Sequence, residues 1–219
     1  MKKTRVFLAL LALLVLLSFY VFSREVKRGF LHQVDFDTTV RLQAHIPARF
    51  DGMWNAITFF VEPTPSVFVV GLLTIAALID FKKKKLRWKA LIIPLLFGAL
   101  VLGELYGKSV VHHPSPPFFM IKNPTTVFPQ FYVNEQYSYP SGHTARATFF
   151  GFVIYSLLTI RYSLIKRKKQ NILAALVIIG FICMVAIGKI YLGHHWLSDV
   201  IGGGLLGAAI SLLALGLIC

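Results

Sequence analysis

The chain has 219 residues, 56% of them hydrophobic, and a mean hydropathy of +0.69. A composition this apolar excludes an ordinary soluble domain and indicates a membrane protein. The formal net charge of +14 would favour nucleic-acid binding in a soluble chain, so the positions of the basic residues must decide between that function and membrane topology. The two cysteines, Cys183 and Cys219, are poorly placed for a disulfide framework or a thiolate metal site.

Six segments are long and apolar enough to cross a hydrocarbon layer of about 30 Å. Their approximate bounds are 6–22, 66–81, 90–107, 144–160, 171–190 and 197–218. The sequence therefore predicts an all-α, polytopic membrane protein with six transmembrane helices in a single helical bundle. One membrane domain is expected to cover residues 1–219.

The basic residues cluster on one side of these predicted spans. Three precede the first helix, six lie in residues 82–89 and five in residues 161–169, which makes 14 of the chain's 23. The positive-inside rule makes that side cytoplasmic, so the charge indicates topology and nucleic acid is not an expected partner. The N-terminal run also fits a cleavable signal peptide, but SREVKRG has no small-x-small cleavage site, which favours an uncleaved anchor. Both termini are then cytoplasmic in the cell membrane.

Two long segments fall on the outer side in this topology. Residues 23–65 are predicted to include an amphipathic stretch along the interface. Residues 108–140 contain five prolines before Pro140, with aromatic residues such as Phe128, Phe131 and Tyr132. Prolines predict an irregular loop and aromatics suit a membrane interface. This loop is either a lipid-contacting connector or a lid over a substrate whose tail stays in the bilayer.

Three polar clusters fall at the predicted outer ends of the last four helices. GELYGKSVVHHPSPP closes the third helix, YSYPSGHTARA opens the fourth, and GKIYLGHHWLSD joins the fifth to the sixth. The topology therefore places Lys108, His143, Lys189, His195 and Asp199 in one outer-leaflet neighbourhood. Ionisable groups beside hydrocarbon are costly and tend to be functional.

These clusters contain the parts needed for phosphoryl transfer. His195 and Asp199 are four residues apart, so on a helix they share a face, and the carboxylate can hold the imidazole in one tautomer with its other nitrogen free to attack. Ser141 is a good N-cap and Gly142 allows close backbone approach, which makes an anion site beside His143. An anion-binding site with nearby positive charges and two histidines suits phosphoryl transfer. Catalysis of that reaction depends mostly on positioning and charge stabilisation.

The same residues resemble the type 2 phosphatidic acid phosphatase superfamily of integral membrane lipid phosphatases. Its signature is a lysine followed after six residues by Arg-Pro, then Pro-Ser-Gly-His, then Ser-Arg, with a histidine six positions after that arginine and an aspartate four beyond it. Here the three elements are Lys108 with Ser115-Pro116, the intact Pro140-Ser141-Gly142-His143, and Gly188-Lys189 with His195 and Asp199. The resemblance covers nearly the whole chain.

This resemblance implies a metal-independent hydrolase that acts on a lipid-linked mono- or diphosphate at the outer leaflet and needs no cofactor. His195 would be the nucleophile that forms a phosphohistidine, Asp199 would orient it, and His143 would be the general acid and base. The residues expected to hold the phosphate oxygens are Lys108, Lys189 and the backbone around Ser141 and Gly142. The expected partners are the lipid phosphate and membrane lipids; the sequence does not indicate an oligomeric state.

Both signature arginines are replaced, the first by Ser115 and the second by Lys189. A lysine keeps the charge without the bidentate fork, and a serine keeps neither. Arg146, one helical turn after His143, and His113, near the missing arginine, are the candidates for a compensating charge.

Three alternatives stay open at the level of sequence. A zinc site could be built from the residues His112, His113, His143, His194, His195 and Asp199. The chain could also be a phosphotransferase that uses the same nucleophile, or a catalytically weakened phospholipid-binding relative. For His112, His113 and His194 we expect only interfacial hydrogen bonding, and Lys108 could simply pair with Glu104 at i+4.

Overall fold

A computed structural model describes residues 2–80, 85–122, 136–161, 165 and 167–218. Its eight α-helices in this part of the chain are α1 (Lys2–Lys27), α2 (His32–His45), α3 (Asp51–Thr58), α4 (Pro63–Leu78), α5 (Ile92–Val111), α6 (Gly142–Ser156), α7 (Lys168–Tyr191) and α8 (Leu197–Ile218). Short 3₁₀ turns at Ala48–Phe50, Phe59–Val61, Trp88–Leu91 and Phe118–Met120 join some of them. Two two-residue strands, β1 (Ile79–Asp80) and β2 (Lys85–Leu86), pair antiparallel with Ile79 opposite Leu86. The all-α prediction is confirmed.

Four helices of the described part are long and apolar enough to cross a membrane. They are Lys3–Lys27, Trp88–Val111, Lys168–Tyr191 and Leu197–Leu217. A fifth span is possible if Ala48–Val61 and Pro63–Leu78, which meet at a bend of 50°, are counted as one broken segment. Large apolar side chains on the outer faces of these helices, such as Leu14, Leu102 and Leu173, are more than half exposed, as lipid contact requires.

The remaining predicted span, residues 144–160, corresponds to α6. This helix has 15 residues and continues as a π-helical turn at Leu157–Arg161. His143 and Arg146 near its start are buried, which shows that the first turns of α6 lie inside the protein. The count of six spans therefore stays a prediction.

The two segments predicted to lie on the outer side contain regular structure in their described residues. The stretch predicted to be amphipathic forms α2 and α3, with a 3₁₀ turn between them. Of the loop at residues 108–140, the predicted aromatics Phe128, Phe131 and Tyr132 lie outside the described residues. Its two ends meet in an isolated antiparallel bridge between Pro114 and Tyr137.

Close packing of α6 against α8 organises the core. A Cβ atom at Gly203 would collide with the carbonyl oxygen of Ser141, and one at Gly207 would collide with that of Ala145. The two helix backbones can therefore approach only because these positions lack side chains. α6 also packs against α7, and Phe149 at its centre is fully buried.

Candidate functional site

Ser141 connects the start of α6 to the start of α8. Its hydroxyl accepts the backbone N–H of Thr144 at 3.5 Å, which makes it the predicted N-cap. Its own N–H donates to the carbonyl oxygen of Asp199 at 2.9 Å. The first turns of α6 and α8 are thereby held side by side, with His143 on one and Asp199 on the other.

The two histidines predicted to act together lie in contact. Nδ1 of His143 is 3.4 Å from Nε2 of His195, and the ring centroids are 5.6 Å apart. On the other side of the His195 ring, Nδ1 lies 3.5 Å from Oδ2 of Asp199, slightly too far for a good hydrogen bond. Catalytic hydrogen bonds are often long before substrate binds. This arrangement directs Nε2 of His195 toward His143 and Nδ1 toward the carboxylate.

The carboxylate of Asp199 is fully buried and held from both sides. Oδ1 lies 2.9 Å from Nδ1 of His113, and Oδ2 accepts the backbone N–H of Trp196 at 2.8 Å. His113 is 3% exposed. Because Oδ1 of a carboxylate can only accept, Nδ1 of His113 carries the proton in this contact. The expectation that His113 is an interfacial residue is therefore wrong.

A second carboxylate, Glu62, bridges two residues predicted to bind phosphate or move protons. Oε1 accepts from Nζ of Lys189 at 2.8 Å, and Oε2 lies 3.0 Å from Nε2 of His143. The latter contact has the length of an ion pair but is not aligned as a hydrogen bond. Glu62 stands at the bend between the 3₁₀ turn that ends at Val61 and the start of α4.

His194 lies beside the same ion pair. Its Nδ1 is 3.4 Å from Nζ of Lys189. Burial, with the charge of Lys189 adding to it, lowers the pKa of His194 to about 3. His194 is therefore neutral near pH 7 and can accept a hydrogen bond from the lysine rather than repel it.

A third carboxylate, Glu104, lies over the N-terminus of α6. A Cβ atom at Gly142 would collide with both of its oxygens. Oε1 is 3.1 Å from Nζ of Lys108, and Oε2 accepts from Nη1 of Arg146 at 2.8 Å. Nε of Arg146 donates to the carbonyl oxygen of Val61 at 2.7 Å. The predicted anion site therefore lies next to a carboxylate of the protein itself, flanked by two cations.

Asp35 on α2 reaches the same region from the segment predicted to lie along the interface. Its oxygens accept from the backbone N–H and the hydroxyl of Ser198 at 2.7 and 2.8 Å. Oδ2 is 3.7 Å from Nε2 of His113. Burial raises the pKa of Asp35, and the hydrogen bonds from Ser198 oppose that shift.

Residues 88–218 match the family model described as the PAP2 superfamily. That match spans more than half of the chain. The chain belongs to the PAP2 superfamily. The recognition made from the three sequence elements is confirmed, and so is the prediction of a phosphoric ester hydrolase.

Two curated proteins and one solved structure resemble this PAP2 chain. Phosphatidylglycerophosphatase B of Bacillus subtilis is 29% identical over 152 residues, 69% of this chain and 68% of that protein. The undecaprenyl-diphosphatase of Sulfolobus acidocaldarius is 33% identical over 139 residues, 64% of this chain and 59% of that protein. The crystal structure of a transmembrane PAP2-type phosphatidylglycerolphosphate phosphatase from Bacillus subtilis superposes with a TM-score of 0.75 and 19% identity, covering 93% of each chain. That superposition shows a shared fold.

The PAP2 chain gathers most of the residues singled out in its sequence. His195 contacts His143 on one side and Asp199 on the other. Glu62 links Lys189 to His143, and Glu104 links Lys108 to Arg146. Ser115 lies just beyond α5, where its N–H donates to the carbonyl oxygen of Gln136 at 3.3 Å. Exposed His112 contacts the ring of Tyr137.

The zinc alternative finds no support in the geometry. Across the described ranges, no three His, Cys, Asp or Glu side chains are arranged to hold a metal ion. Two of the histidines that motivated this alternative face carboxylates in pairs, His113 with Asp199 and His143 with Glu62.

Glu62 and Asp35 were not predicted from the sequence as members of the site, and Glu104 was predicted only as a helix-end partner of Lys108. Glu62 is the residue directly before Pro63 at the start of a helix, and Asp35 lies among apolar residues in VDFD. Acidic residues are scarce, nine in all against 23 basic ones. Acidic residues that lie beside apolar segments are usually paired, so their small number and their positions could have indicated that each has a specific partner.

Proposed function

We propose that this protein hydrolyses a lipid-linked mono- or diphosphate at the outer leaflet through a phosphohistidine formed on His195. It is a membrane phosphatase of the PAP2 superfamily. The observation that carries the proposal is the buried row Asp199, His195, His143, flanked by the cations Lys189, Lys108 and Arg146. The first substrates to test are phosphatidylglycerophosphate and polyprenyl diphosphates, because the names of the two curated relatives indicate these compounds.

In the proposed reaction, Nε2 of His195 attacks phosphorus and the bond from phosphorus to the leaving oxygen breaks. His143 gives its proton to that oxygen. A water then attacks the phosphohistidine, His143 takes a proton from it, and the phosphorus–nitrogen bond breaks to release phosphate. Asp199 stabilises the charge that His195 gains when its Nε2 bonds to phosphorus.

The phosphate-binding residues are proposed to be Lys108, Lys189 and the α6 N-terminus at Ser141 and Gly142. Arg146 is proposed to add charge at this end of α6 in place of a missing signature arginine, because it shares Glu104 with Lys108. A helix N-terminus and nearby cations favour an anion with three or four oxygens.

Substrate must enter a site that is closed by a carboxylate of the protein. Glu62 bridges Lys189 and His143 as two oxygens of a phosphate would, and the gap of 3.4 Å between His143 and His195 leaves no room for a phosphoryl group. We infer that the substrate phosphate displaces Glu62. Its position at a helix bend and its side-chain exposure of 35% allow this movement.

The arrangement of the helix ends supports the proposed outer-leaflet location. The site lies at the C-terminal ends of α5 and α7 and the N-terminal ends of α6 and α8, which are the same end of these helices. The basic segments around residues 82–89 and 161–169 connect the opposite ends. The positive-inside rule favours a cytoplasmic location for the basic side, and we propose on that basis that both termini are cytoplasmic and that the site faces outward.

The nucleophile is tested by phosphate release from purified protein with phosphatidylglycerophosphate, phosphatidic acid and a polyprenyl diphosphate. His195→Ala should abolish release while thermal unfolding in detergent stays near that of the parent. Asp199→Asn should reduce kcat through loss of imidazole orientation, by about 10²-fold or more. A chelator should have no effect. Full activity of His195→Ala, or chelator inactivation reversed by zinc, would rule out this mechanism.

Displacement of Glu62 predicts a change in KM rather than in kcat. In Glu62→Gln the negative charge that competes with phosphate is lost, so KM and the inhibition constant of inorganic phosphate should each fall by about threefold to tenfold, the equivalent of about 1 kcal/mol. The matched control is Glu25→Gln, a carboxylate near the end of α1 that pairs with Arg28. A kcat more than tenfold lower with an unchanged KM would instead assign Glu62 to holding His143.

Sidedness is tested with single cysteines in a background where Cys183 and Cys219 are replaced by alanine. Gln33 and Arg167 are both exposed, on α2 and just before α7. In intact cells an impermeant maleimide should label Gln33→Cys and leave Arg167→Cys unlabelled until the membrane is permeabilised. The reverse pattern would place the site on the cytoplasmic face.

A further inference from the structure

His113 is the least expected member of the site. The sequence places it just beyond α5 and before a proline-rich segment, where an exposed residue was expected. It is instead 3% exposed, with its ring stacked on His32 at a centroid distance of 5.4 Å. Its two nitrogens face two different buried carboxylates, Asp199 and Asp35.

The contact with Asp199 determines how that carboxylate is turned. Oδ1 is engaged by Nδ1 of His113 at 2.9 Å, and Oδ2 by the backbone N–H of Trp196 at 2.8 Å. Each oxygen of the carboxylate therefore has a donor of its own, and the two contacts together limit its rotation. Oδ2 is the oxygen that faces Nδ1 of His195. Loss of the His113 donor would free the carboxylate to rotate away from His195.

Asp35 supports His113 and the first turn of α8 at once. It accepts two hydrogen bonds from Ser198, the residue before Asp199, and lies 3.7 Å from Nε2 of His113. Its side chain is 2% exposed. Through Asp35, helix α2 therefore holds His113 and the start of α8 in a defined relative position, although α2 is distant in sequence from His113 and from α8.

We propose that His113 is a positioning residue for the hydrolase reaction: it holds the Asp199 carboxylate in the orientation that aligns His195, and Asp35 holds His113. This inference rests on the proposed roles of His195 and Asp199. It assigns no phosphate contact to His113, which differs from the compensating charge expected from the sequence. A residue that acts through Asp199 should change kcat and leave substrate binding nearly unchanged.

Two near-isosteric substitutions separate the two nitrogens of His113. An asparagine places its amide nitrogen close to the position of Nδ1 and can still donate to Asp199. A glutamine places its amide nitrogen close to the position of Nε2, so it keeps the donor that faces Asp35 and loses the donor to Asp199. His113→Gln should lower kcat by about 10- to 100-fold, the cost of a misplaced catalytic group, with KM within about twofold of the parent. His113→Asn should recover most of that loss.

The matched control is the neighbouring His112, which is exposed and contacts Tyr137. His112→Gln should match the parent in kcat and KM. Thermal unfolding in detergent should be measured for every variant, so that activity is compared only between folded proteins. If His113→Gln does not fold, the Asn variant still tests the proposal, because its activity should be close to that of the parent.

A double-mutant cycle provides the sharper test. If His113 acts through Asp199, the variant with both His113→Gln and Asp199→Asn should be no slower than Asp199→Asn alone. Losses that multiply would mean an independent role and would overturn the proposal, as would full activity of His113→Gln or equal losses in His113→Asn and His113→Gln. Absence of phosphate release by the parent from every lipid tested would instead mean failure of the proposed function.

Discussion

The carboxylate of Asp199 is buried at the first turn of α8, where an unpaired charge would cost several kcal/mol. Its oxygens are engaged by His113 and by the N–H of Trp196, and its backbone carbonyl accepts the N–H of Ser141. One residue thus connects the segment after α5, the loop before α8 and the start of α6. The closeness of His143 to His195 depends on these connections and on the glycine contacts between α6 and α8.

Charge neutralisation is the second constraint on the site. Glu62 is paired with Lys189, and Glu104 with Lys108 and Arg146, so three cations near the α6 N-terminus face two carboxylates of the protein. Buried or half-buried cations without such partners would be costly in an apolar bundle. In the proposed mechanism, a phosphate that replaces Glu62 would restore the pairing and bring phosphorus to the histidines. The same groups that stabilise the fold before substrate binds can then hold the substrate.

The local features of the candidate site were predicted from the sequence better than its surroundings were. The i+4 spacing of His195 and Asp199 and the N-cap at Ser141 are local features of the sequence. In the structure Ser141 caps α6, Asp199 lies in the first turn of α8, and His195 lies just before that helix. Glu62 and Asp35 were missed because their partners are 127 and 163 residues away in sequence. The predicted span at residues 144–160 coincides largely with α6, whose start is buried in the protein. The second predicted span extended to residue 81, but the helix there, α4, ends at Leu78.

The central claim, that His195 carries the phosphoryl group, is tested most directly by trapping the intermediate. A lipid diphosphate labelled with ³²P in its terminal phosphate is added to His143→Ala, and the reaction is stopped in alkaline detergent. The leaving group is then the lipid monophosphate, which needs little help from an acid, whereas hydrolysis of the intermediate still lacks its base. The account predicts label on the protein that is stable in alkali, lost in mild acid, and absent when His195→Ala is added. Label that survives acid, or that persists without His195, would contradict it.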